Sequence, residues 1–306
     1  MERLAKGYRE FAEYDGRVSP LYAELAAGVA GDREVLSWLD GLPVGKRQPN
    51  LLFASYRAIA GMPAGWPEFR AVLSERRGEI EAAMLERRTQ TNEPARCALL
   101  LPLLAALPQP LALLEVGASA GLCLLGDHYS YDYDGHRIGS GTPTLRCTPE
   151  GPVPLPTRLP EVAWRAGLDL DPVDIDDPER VRWLELLIWP GEEYRVEVLH
   201  RALEVARAER PRVVQGDLTT SDLEDLAAEA PRDATLVIFH TAVLYYVPSA
   251  GRARFRETVA RLGATWIACE ERRVLDVAPG PDRMVLALDG ERVAGVDGHG
   301  TRLSWG

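Results

Sequence analysis

Up to residue 108, apolar side chains recur three and four positions apart with charges between them, the spacing of amphipathic helices. PNLLFASYRAIAG (49–61) and WPEFRAVLSERRGEIEAAMLERR (66–88) carry the pattern most plainly. In SPLYAELAAGVA (19–30), Ser19 is a candidate cap and Pro20 stands at the first helical position. GLPVGKRQP and GMPAGWP punctuate the helices as loops. From residue 111 the texture changes to short apolar runs: LALLEVG, RVVQGD, ATLVIFH and TWIACEE. Each is the length of a buried parallel strand. EVAWRAGLDL, ending at Asp169, is a further candidate. Helical stretches such as EEYRVEVLHRALEVARAE and SAGRARFRETVARLG alternate with them. Strand and helix in alternation predict a parallel sheet with helices on both faces. The tail, 282–306, has an Asp-Gly turn between apolar runs and reads as antiparallel strands. Segment 129–160 is rich in turn residues and proline, and reads as an inserted hairpin and loop. The expected organisation is a helical N-terminal region, 1–108, followed by a doubly wound α/β core, 109–306.

Composition narrows the classes. A hydrophobic fraction of 46% and a charged fraction of 26% are those of a soluble globular protein. A formal net charge of −11 disfavours a nucleic-acid partner, because phosphate binding rests on a basic footprint. No run approaches the roughly 18 apolar residues of a membrane helix, and MERLAKGYREF lacks the apolar core of a signal peptide. Cys97, Cys123, Cys147 and Cys269 lie far apart without a CxxC pair, which fits buried thiols in a reducing cytoplasm. The aspartates of GLDLDPVDIDD miss the glycine and closing glutamate of a calcium loop, so no metal is expected.

Ligands of doubly wound sheets lie beyond the carboxyl ends of the strands. Those ends carry Glu115 and Gly117, Asp169, Gly216-Asp217, His240, and Glu270-Glu271. Acids there accept hydrogen bonds from ribose hydroxyls or an adenine amino group, and favour a ligand with a free amine. Glycines admit a ligand close to the backbone. S-adenosylmethionine has all these features. A dinucleotide fits less well, since Ser119 stands where G-x-G-x-x-G requires its second glycine.

Strand, E-x-G-x-x-x-G, acid, G-D, then an apolar strand with a polar end resembles the class I methyltransferase fold. TNEPARC (91–97), LLEVGASAGLCLLGDHYSYDY (113–133), RAGLDLDPVDIDD (165–177), WLELLIWP (183–190) and VIFHTAVLYYV (237–247) resemble an uncharacterised bacterial family, domain of unknown function 2332. The resemblance covers nearly the whole chain. It implies a Rossmann-like, methyltransferase-type core that binds S-adenosylmethionine and acts on a small molecule. Glu115, Gly117, Ala118, Ser119 and Gly121 would then lie near the methionine part of the cofactor. Asp169 would hold the ribose, and Asp217 and Leu218 would flank the adenine. His240 would face the reacting methyl group, with His240 or Tyr245 a candidate base. Asp169 departs from the pattern, standing far beyond the roughly 20 residues expected after the glycine turn. The 129–160 insertion accounts for that gap if it loops out.

Three readings stay open. In TNEPARC, Thr91 or Asn92 is either a plain helix cap, or Asn92 and Arg96 close over a cofactor carboxylate. Trp189 and Pro190 read as helix termination and packing rather than substrate stacking. Gly117-Ala118-Ser119-Ala120-Gly121 also fits the G-x-S-x-G elbow of a serine hydrolase, with Asp217 and His299 as partners. Against the hydrolase, the turn follows the first candidate strand, no HGGG segment is present, and Glu115 would oppose an oxyanion. A non-catalytic protein of the same fold is the remaining alternative.

Overall fold

The computed structural model describes residues 1–14, 18–90, 92–277 and 280–306. The chain divides into two compact units: 1–91 with 178–196, and 92–177 with 197–306. The expected boundary at 108 therefore shifts. Helix Cys97–Ala106 belongs to the second unit, and 178–196 returns to the first.

The first unit is helical. Helices Glu2–Tyr14, Pro20–Gly31, Pro49–Ala60 and Trp66–Glu75 contribute Tyr8, Tyr22, Phe53 and Phe69 to one buried core. Phe53 sits at its centre, with ring centroids 4.7 Å from Tyr22 and 5.7 Å from Phe69. Asp32 caps helix Arg33–Gly41 by accepting from the amides of Glu34 and Val35. Ser19 does not cap in this way. It is buried, its hydroxyl makes no hydrogen bond, and the helix start rests on Pro20 at the first turn. Helix Pro178–Leu186 ends where Arg57 donates to the carbonyls of Leu186 and Ile188, which leave their helical partners there. Trp189 follows, packed at 5.1 Å from Phe11, in keeping with the packing role read from the sequence.

The second unit is built on strands β1 (Leu111–Val116), β2 (Ser130–Tyr133), β3 (His136–Ile138), β4 (Thr144–Arg146), β5 (Thr148–Glu150), β6 (Val162–Asp169), β7 (Val213–Gln215), β8 (Thr235–Thr241), β9 (Thr265–Glu271), β10 (Met284–Leu288), β11 (Glu291–Val296) and β12 (Arg302–Trp305). Among the described residues, nine of them form one mixed sheet, ordered β5-β12-β11-β10-β9-β8-β1-β6-β7. β7, β6, β1, β8 and β9 run parallel. Numbered along the chain, these five stand in the order 3-2-1-4-5. β1 is central and buried along its whole length, which is why its sequence does not alternate.

β9, β10, β11 and β12 turn back as an antiparallel meander. The β10–β11 turn uses Asp289 and Gly290, both at positive φ (50° and 86°), as its Asp-Gly signal requires. The insertion is more ordered than its composition suggests. β2 pairs antiparallel with β3 and parallel with β4, making a separate small sheet. Tyr129, Tyr131 and Tyr133 are buried, and their hydroxyls donate to the carbonyls of Leu122, Gly126 and Ala98. The insertion then ends in β5, which joins the far edge of the large sheet beside β12.

Candidate functional site

Parallel strands deliver several chemical groups to one edge of the second unit. β1 feeds the turn 117–121, in which Gly117, Ser119 and Gly121 all have positive φ (70°, 53° and 71°). A turn so rich in left-handed residues needs outside support, and the chain supplies it. The Gly117 amide donates to the Leu168 carbonyl at 2.8 Å, tying the turn to the end of β6. The Ser119 amide donates to Asp169 Oδ2 at 2.8 Å, and the Asp171 amide to Asp169 Oδ1 at 2.8 Å. Asn92 grips the turn from the other side: its Nδ2 donates to the Ala118 carbonyl at 2.8 Å, and its Oδ1 accepts from the Leu122 amide at 3.3 Å.

Glu115, Gly117, Ala118, Ser119, Gly121, Asp169 and Asn92 are thus brought together. Of the cap readings in TNEPARC, Asn92 is a clamp on the glycine turn, while Thr91 lies outside the described residues. The cap of the following short helix is Glu93, which accepts from the Ala95 amide. Asp169 is joined to the turn it was expected merely to face, and each of its oxygens keeps further acceptor capacity. Gly216 donates to the Asp169 carbonyl at 2.9 Å, which sets Asp217 beside this edge. Asp217 Oδ1 accepts from the amide and hydroxyl of Thr219, and Leu218 packs half-buried against the core.

Side chains alternate across a sheet, so the acids divide between its faces. On the face of Glu115 lies a buried polar cluster. Arg96 donates from Nε to the Gly298 carbonyl at 2.8 Å and from a terminal nitrogen to the Thr241 carbonyl at 3.0 Å. Burial pushes the Glu115 carboxyl well above the usual carboxylate range. The Cys123 thiol and Asp169 add to the rise, and the Arg96 guanidinium opposes it. Burial thus favours the protonated form of Glu115. Its Oε2 and the hydroxyl of Ser119 are buried and make no hydrogen bond.

The opposite face carries His240, fully buried. Its Nδ1 lies 2.8 Å from Glu270 Oε1, and the indole N–H of Trp266 donates to its Nε2 at 2.9 Å. Nε2 can accept that bond only if unprotonated, so the proton sits on Nδ1 and points at Glu270. In this geometry the lone pair that a histidine base would need is taken by Trp266. Tyr245 is 45% exposed, with its ring 3.9 Å from that of Tyr246. Its surroundings, burial first and then Tyr246, push its hydroxyl above the ordinary phenol range, so it serves as a donor rather than a base.

Among the described residues, the expected partners of a hydrolase serine are not assembled around Ser119. Its hydroxyl has no hydrogen-bond partner, Asp217 is engaged by Thr219, and His299 Nδ1 stands 3.9 Å from Glu93 Oε2. Among the described residues, no group of three or more His, Cys, Asp or Glu side chains is placed to hold a metal ion. Among the same residues, no helix is long and apolar enough to cross a membrane.

Sequence reasoning passed over Glu93 and gave Glu270 no role beyond standing at a strand end; they are 3% and 0% exposed. The signal for Glu270 was available: a carboxylate closing an apolar strand, TWIACE, beside a strand ending in histidine. For Glu93 none existed, since it looks like any polar residue before a proline.

A family model described as an uncharacterized protein conserved in bacteria, domain of unknown function 2332, matches residues 5–305. No curated protein and no solved structure matches the chain.

Proposed function

The chain belongs to this bacterial family, and from that premise we propose that its second unit binds S-adenosylmethionine at the carboxyl edge of β1, β6 and β7, and passes the methyl group to a small molecule. One observation carries the reading. Two buried polar atoms, Glu115 Oε2 and Ser119 Oγ, stand without hydrogen-bond partners at the edge where a doubly wound sheet takes its ligands. Orphaned groups of this kind cost free energy unless a ligand satisfies them.

The residues present fit such a cofactor. Glu115 and Ser119 would meet its amino-acid end, with Arg96 the cation nearest the buried acid. Asp169 and Asp217 would accept from ribose hydroxyls and the adenine amine, using lone pairs left after their backbone bonds. When bound, the cofactor supplies an electrophilic methyl group. The chain's own contribution is positioning: the clamped turn fixes one end of the ligand, and the half-exposed Tyr245–Tyr246 pair offers a surface to an acceptor. His240 takes no proton in this scheme, so the acceptor brings its own nucleophilic lone pair.

Thermal melting in the presence of ligand tests the proposal. S-adenosylmethionine and S-adenosylhomocysteine are expected to raise the melting temperature in a concentration-dependent way, and NAD to leave it unchanged. Equal, null responses to all three would remove the reading.

A further inference from the structure

Glycine 117 leaves room beside the backbone, and that room is occupied. A Cβ at this position would lie 2.4 Å from Val243 Cγ2. Val243 belongs to the segment after β8, which begins at Ala242 in the left-handed region (φ 60°), a conformation a non-glycine residue holds only when its surroundings impose it. The imposing group is Glu270. Its Oε1 accepts from the Val243 amide at 2.6 Å and the Leu244 amide at 2.9 Å, besides its contact with His240 Nδ1. The Ala242 amide donates to the Cys269 carbonyl at 2.8 Å, so β9 grips the segment at two successive residues. Glu270 is itself held by His240, and His240 by Trp266.

We propose that Glu270 is the positioning residue of the candidate site: it latches segment 242–247 so that Val243 plugs the glycine turn, and a ligand reaches Gly117 when that latch releases. The ligand half of this inference rests on the cofactor reading above; the latch half does not. The two faces of the sheet then acquire one purpose. The buried Glu270–His240–Trp266 chain on one side governs access to the turn beside Glu115 on the other. Glu270 is suited to the work, because a single carboxylate oxygen holds two consecutive amides, and losing it frees both together. Val243 is the selective element, since its two methyl groups decide how closely anything approaches Gly117.

Amide hydrogen exchange on the intact chain tests the latch without any ligand. In the wild type, the amides of Val243 and Leu244 are expected to exchange by local opening, faster than those of β8 and β9, which wait for global unfolding. Exchange of all three at one common rate would overturn the proposal. In Glu270→Gln, whose neutral amide holds the segment less firmly, exchange at 243 and 244 should quicken about tenfold or more, while β8 stays protected. Unchanged exchange at 243 and 244 in that folded variant also counts against the latch.

Val243→Ala leaves Glu270 intact and reads the plug. Titrated with S-adenosylhomocysteine, it should bind about threefold or more tightly than the wild type, because less must move aside. Equal or weaker binding would refute the plug. If neither protein binds, the cofactor reading fails and the plug fails with it, while the exchange results alone still decide the latch.

Discussion

The indole N–H of Trp266 donates to Nε2 of His240 at 2.9 Å, in a site with no exposed histidine surface. That bond fixes the tautomer and removes the histidine from acid–base work. His240→Ala is accordingly expected to act on stability. It leaves the Trp266 N–H without its acceptor, at about 1–3 kcal/mol, and removes one of the three hydrogen-bond partners of Glu270 Oε1. A melt should show the loss, and because His240 steadies the Glu270 latch, the folded fraction should bind ligand no more weakly than the wild type. Intact stability with abolished methyl transfer would restore the histidine to chemistry.

Gly117 and Val243 form a second testable pair. Gly117→Ala must place a side chain at φ 70° and also meet Val243 Cγ2. Backbone strain alone is worth on the order of 1–3 kcal/mol. The steric part should vanish in a Val243→Gly background, leaving only the strain. Denaturant titration of the four proteins gives the coupling directly. Additive effects would mean that the two residues do not share the space.

Glu115 gives a pH dependence of definite sign. Its folded carboxyl is held above the ordinary value, chiefly by burial. Below the ordinary carboxylate range both states are protonated and the residue contributes nothing. As pH rises beyond it, the unfolded chain ionises first, binds fewer protons, and the wild type loses stability. Glu115→Gln removes that loss. The variant should match the wild type below the ordinary carboxylate range and melt progressively higher as pH rises above it. Parallel curves for the two proteins would show that Glu115 ionises freely in the fold.

Ser119 separates the ligand turn from a hydrolase elbow. Its hydroxyl is buried and unpartnered. Ser119→Ala should leave stability unchanged or raise it, since an orphaned polar group is removed. The wild type should resist a fluorophosphonate probe. Labelling at Ser119 would reverse this assignment.

Much of the architecture was legible in the chain. β1, β8 and β9 announce themselves as apolar runs because strands covered on both faces have no need to alternate. Asp169 was readable as a strand end despite its distance from the glycine turn, and the insertion between them does fold aside as a small sheet. Ser19 shows the opposite case: serine before proline is a sound cap signal, yet its buried hydroxyl makes no cap hydrogen bond. Segment 129–160 does hold the expected hairpin, β2 with β3, but its glycines and prolines say nothing of the three tyrosines packed between them. His240 was the least legible. Its place at a strand end was right, but sequence alone does not reveal that Trp266, on the neighbouring strand, occupies its lone pair. Partnerships across strands depend on register, which local pattern does not encode.

The central claim is that the carboxyl edge of β1, β6 and β7 holds S-adenosylmethionine. Calorimetric titration of the purified chain with S-adenosylhomocysteine, alongside Asp217→Ala, tests it most directly. The account predicts saturable binding with a dissociation constant on the order of micromolar, lost or much weakened in a variant that still melts cooperatively. A flat titration of the wild type, or equal affinity in the two proteins, would contradict it.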